Sequence, residues 1–225
     1  MTKKTFRLTG LLYLIVIISA GLSQGYVRGT LVIPGDAAAT AQNILENSGL
    51  FRLGLSLDMV AFITDAVISV LLYQIFKPQG KTLALVSSAL RLIAHPAIGS
   101  LNLLNHYMAY HVLDGAGFMG AFDPSQVEAI SMLFMEAHGY GYLIAGGFFG
   151  LHMLLLGIQI IKSASIPSIF GWFLIGSAAG YLIETFGNFM VPGHEATTAL
   201  IVGTTAALGE VSFTLYLLIK GRKSH

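Results

Sequence analysis

The stretch MEAHGYGYLIAGGFFGLH, residues 135–152, reads as the middle of an apolar helix, yet it carries Glu136, His138 and His152. Followed outward, the apolar run reaches back to Gln126 and on to Ile161 without a Lys, Arg or Pro. The hydrocarbon of a bilayer is about 30 Å thick, and about 20 such residues cross it as a helix. The run is therefore a membrane span with residues to spare. An ionisable side chain at the bilayer centre costs about 2.5–3.5 kcal/mol on insertion scales, so groups of this kind face the interior of a helix bundle and find partners there.

The rest of the chain agrees with that reading. Of 225 residues 55% are hydrophobic and only 10% charged, and the mean hydropathy is +0.75, a balance that no water-soluble domain of this size needs to fill its core. The net charge of +1 gives no reason to expect a nucleic-acid partner. The absence of cysteine excludes disulfides, thiolate metal sites and a thiol nucleophile.

Hydropathy predicts an all-α, six-span bundle forming a single integral membrane domain, with spans over about residues 6–27, 50–76, 82–113, 126–161, 167–191 and 200–219. The basic start, apolar run and small residues of the N-terminus also fit a cleaved signal peptide; the segment is read here as a retained first span. The third and fourth spans are over-long, so tilt or projection into water is expected. Short turns lie at KPQGK (77–81) and KSASIP (162–167), and Asp123 before Pro124 is a helix-start signal. After the first span, Asp36 opens a stretch with apolar Ala37, Ala41, Ile44 and Leu45, which fits a short amphipathic helix on the outer surface or a plain connector.

Charge sets the orientation. With the N-terminus inside, Lys3, Lys4, Arg7, Lys77, Lys81, Lys162, Lys220, Arg222 and Lys223, nine of twelve cations, fall on one side. Arg28 and Arg52 lie outside and Arg91 lies within the membrane. The positive-inside rule then places both termini in the cytoplasm of a bacterial cell, the protein sitting in its inner membrane.

The intramembrane polar residues sort by depth. Asp58 and Asp65 are seven apart on span two, hence on one face. Arg91, His95, Asn102 and His106 fall within a band about 60° wide on span three. His138 and His152 follow on span four, Tyr181, Glu184 and Asn188 on span five, and Glu210 on span six. Counted at about 1.5 Å per residue, Asp65, Arg91, His95, His152 and Glu210 share an inner layer, while Asp58, His106, Glu136 or His138, Glu184 and Asn188 share an outer one. An ion pair between Asp65 and Arg91 is expected, with Glu210 the rival partner. Gly146, Gly147, Gly150, Gly176, Gly180 and Gly203 are suited to close helix packing, and Pro96, directly after His95, should distort span three.

Three chemistries fit these residues. A polar interior that binds or passes a small molecule, an ion or a proton, with carboxylates and histidines as relay groups, asks least of exact geometry. An intramembrane metal-dependent enzyme or an electron carrier would use His95, His138 and His152, as zinc ligands or, with His138 and His152 about 21 Å apart on one face, as ligands of haem b. A non-catalytic accessory protein would use the network only to fix helix register. No cofactor is required, and oligomeric state is not written in the string.

The segments PGDAAATAQNI (34–44), LFRLG (50–54), FFGLHMLLLGIQIIKS (148–163), IPSIFG (166–171) and GYLI (180–183) carry a resemblance. In them the chain resembles an uncharacterised bacterial membrane-protein family, domain of unknown function 4386. The resemblance implies a six-helix layout over most of the chain and carries no activity or catalytic residue with it.

Overall fold

A computed structural model describes residues 2–115 and 117–219, with Phe118 described by its backbone alone. Lys220, Arg222 and Lys223, counted above among the cytoplasmic cations, lie outside the described residues. The described residues are helical and contain no strand. Six helices are long and apolar enough to cross a membrane: α1 (Lys3–Leu31), α3 (Ser48–Phe76), α4 (Lys81–Leu113), α5 (Pro124–Lys162), α6 (Ser168–Met190) and α7 (Glu195–Ile219). The seventh, α2 (Ala37–Glu46), is the short amphipathic helix that Asp36 announces; Asp36 caps it by accepting a hydrogen bond from the Ala39 amide at 2.9 Å. Thr40, Ala41 and Ile44 of α2 face inward, while Leu45 is exposed.

The spans pack in chain order around a closed ring: α1 on α3, α3 on α4, α4 on α5, α5 on α6, α6 on α7, and α7 back on α1. Helix starts follow local chemistry. Asp123 and Gln126 form a reciprocal capping box at α5, with Pro124 in the first turn, where its missing N–H costs nothing. The ring closes where Gly10 of α1 meets α7 so tightly that a Cβ there would lie 2.9 Å from the Leu217 Cβ. At the crossing of α5 and α6, a Cβ on Gly157 would lie 2.6 Å from the Gly171 carbonyl, and one on Gly171 equally close to the Gly157 carbonyl. Gly146, Gly150 and Gly180 also take close neighbours, whereas Gly176 and Gly203 face open space, because a small-residue spacing does not say which helix face is in contact.

Three spans widen into π-helical turns: α1 at Gly21–Arg28, α4 at Ile93–Gly99 and α7 at Ala207–Val211. The second contains Pro96, whose missing N–H and bulky ring a wider turn accommodates. Each of the three carries an ionisable side chain of the interior, Arg28, His95 and Glu210. One expectation is corrected here. The first span does not stop at Val27 but continues to Leu31, so Arg28 is a residue of the span, 9% exposed, and not a cation of the following loop.

Candidate functional site

Two buried ionic tiers fill the interior, each organised by one of the two aspartates that α3 presents two turns apart on a single face. In the Arg91 tier, Arg91 donates to Asp65 in a short contact through Nη2, and through Nη1 to the Tyr13 hydroxyl at 2.9 Å and to His152 Nε2 at 3.1 Å. Its guanidinium also lies over two aromatic rings, 4.6 Å from the centroid of Tyr13 and 5.1 Å from that of Phe149. His152 Nδ1 stands 2.8 Å from the Ser87 carbonyl. A carbonyl only accepts, so this nitrogen carries the ring proton and Nε2 is free to accept from Arg91. Both ring nitrogens of His152 are thus hydrogen-bonded. The second oxygen of Asp65 faces His95 Nδ1 at 3.3 Å. Glu210 is not the partner of Arg91; it accepts from the Tyr181 hydroxyl at 2.8 Å.

In the Arg28 tier, Arg28 Nη1 donates to Asp58 Oδ2 at 2.9 Å and to His106 Nδ1 at 3.0 Å, and Nε donates to Gln24 at 2.8 Å. The guanidinium lies 5.3 Å from the ring centroid of Tyr142. Asn102 and His138 clamp α4 to α5: the Asn102 amide donates to the His138 carbonyl at 2.7 Å, and His138 Nδ1 donates to the Asn102 carbonyl at 3.1 Å. The rings of His106 and His138 meet edge to face, 5.2 Å between centroids.

Of the residues singled out in the sequence, Asp65, Arg91, His95 and His152 are in one hydrogen-bonded group. Asp58, His106 and His138 come together in the other, their ligand-type atoms all within 4.8 Å of one another. Glu184 and Asn188 take no part in it: the Asn188 amide donates to the Glu184 carbonyl and to Thr198 on α7. Glu136 is exposed on the surface of α5. Arg28, Gln24, Tyr13, Ser87 and Tyr142 are among the interior residues that sequence reasoning missed. The signal for Arg28 was available, since the apolar run resumes after it in TLVI (30–33). An apolar crevice of about 800 Å³ lies elsewhere, between α2 and the adjoining ends of α4 and α5, with Ala41, Leu45, Val112 and Val127 in its walls and no residue of either tier.

These features define a polytopic α-helical membrane protein with an ionic interior. Residues 8–221 match the family described as Domain of unknown function (DUF4386), and the chain belongs to that family. It is also similar to an uncharacterized protein of Archaeoglobus fulgidus, 29% identical over 161 residues, which are 72% of this chain and 79% of the relative. No solved structure matches the chain.

Proposed function

We propose that the protein binds or passes a small molecule, an ion or a proton through its polar interior, the proton being the species that the Arg91 tier suits best. The reading includes a bacterial inner membrane as its location, with both termini cytoplasmic. One observation carries it. The side chains of His95, Asp65, Arg91 and His152 form a connected series in which Asp65 and Arg91 are 1% exposed, while the His95 side chain is 19% exposed. A partly exposed imidazole that faces a buried carboxylate can exchange a proton with it. Asp65 uses one oxygen for His95 and the other for Arg91, so a proton gained at the first weakens the hold on the guanidinium, and through it the contact with His152.

The test is proton flux into liposomes that contain the purified protein and an entrapped pH-sensitive dye, driven by an imposed potassium diffusion potential. Wild-type protein is expected to acidify the lumen, and His95→Gln and Asp65→Asn to lower the rate at least about tenfold while the protein still elutes as a folded species. A wild-type rate equal to that of protein-free liposomes sinks the proton reading.

A further inference from the structure

Two buried acceptors of the Arg28 tier are not served by its arginine. His106 Nε2 lies 3.3 Å from the Phe51 carbonyl and His138 Nδ1 lies 3.1 Å from the Asn102 carbonyl. Each ring therefore carries its proton on that side, and His106 Nδ1 and His138 Nε2 are bare lone pairs turned toward Asp58. Arg28 Nη1 satisfies His106 Nδ1 and Asp58 Oδ2. Asp58 Oδ1 and His138 Nε2 have no hydrogen-bond partner, although their residues are 0% and 1% exposed. A buried polar atom left unpaired costs about 1–3 kcal/mol, so a cluster built only to hold a guanidinium has no use for these two.

We propose that Asp58, His106 and His138 form a binding site for a divalent transition metal of the zinc class, and that Arg28 supplies the positive charge of the site when the metal is away. Two imidazoles and one carboxylate are a donor set that such ions take, with a fourth position left for water. Each imidazole passes its other N–H to a backbone carbonyl, the outer contact that fixes a ligating histidine in the correct tautomer.

Charge dictates the exchange. Arg28 and Asp58 neutralise each other, whereas a divalent ion beside the same guanidinium sets like charges together in a medium of low dielectric. Arg28 therefore withdraws as metal enters. The inference does not rest on proton movement through the Arg91 tier.

The experiment is titration of chelator-treated, detergent-purified wild-type protein with Co²⁺, followed by displacement with Zn²⁺. One equivalent per chain is expected, with the visible bands of low-coordinate cobalt, lost on adding zinc. His106→Ala and His138→Ala are expected to weaken binding beyond the roughly 10- to 100-fold that loss of an outer-shell contact costs. Arg28→Gln removes the competing charge and is expected to bind more tightly than wild type. A cluster whose spare acceptors hold only a water gives none of these responses. Absence of cobalt binding by wild-type protein overturns the proposal whatever the variants do, as does binding that both histidine variants retain unchanged.

Discussion

Asp65 and Arg91 show what one buried charge asks of its surroundings. The carboxylate is met by a guanidinium and an imidazole, and the guanidinium in turn by a phenol, a second imidazole and two aromatic faces. Removing one member of such a pair leaves the other uncompensated, which costs about 3–5 kcal/mol, whereas apolar replacement of both is often near neutral. Asp65→Ala is therefore expected to lower stability by about that amount, and Asp65→Leu combined with Arg91→Met by much less. Unfolding in detergent measures all corners of this cycle, and an Asp65→Ala protein as stable as wild type would sink the argument. The pair itself was legible in the sequence, because a lone arginine deep in an apolar span has few partners to choose from. Tyr13 and Tyr142 were not, since a tyrosine in a span counts as apolar until a donor is found beside its hydroxyl.

At the scale of the helix, the crossing of α5 and α6 depends on two backbones that nearly touch. Gly157→Ala puts a Cβ 2.6 Å from a carbonyl oxygen that cannot swing aside, and overpacking of this kind costs about 1–3 kcal/mol. Gly176→Ala, on the same pair of helices but with nothing within 4 Å, serves as the control and is expected to be neutral. Thermal unfolding of the two variants side by side decides the matter: equal losses would mean that the crossing is not where the energy lies. Neither contact could be assigned from the string, which lists glycines but not the face each helix turns to its neighbour. The π turns were equally hidden at Gly21–Arg28 and Ala207–Val211, where no proline marks them; only Pro96 announced its own.

For the whole molecule, hydropathy made the six-span layout readable because every span is apolar enough to stand out alone. Closure of α7 on α1 was not readable, for it rests on the fit of Gly10 against Leu217, residues at opposite ends of the chain. The orientation proposed from charge can be checked directly, as the chain has no cysteine of its own. A single cysteine at Lys81 is expected to react with a membrane-impermeant maleimide only after cells are opened, and one at Gln42 before; the reverse pattern would invert the topology.

The two ion pairs have a consequence for how the protein is made. Arg28 on α1 is answered by Asp58 on α3, the next span to be synthesised, and Asp65 on that same span is answered by Arg91 on α4, the one after. Each member of these two pairs thus meets its opposite on the span next to it in the chain. During biogenesis no cation has to wait in lipid for the C-terminal half of the chain, and translocation can proceed hairpin by hairpin with its electrical debts already cancelled.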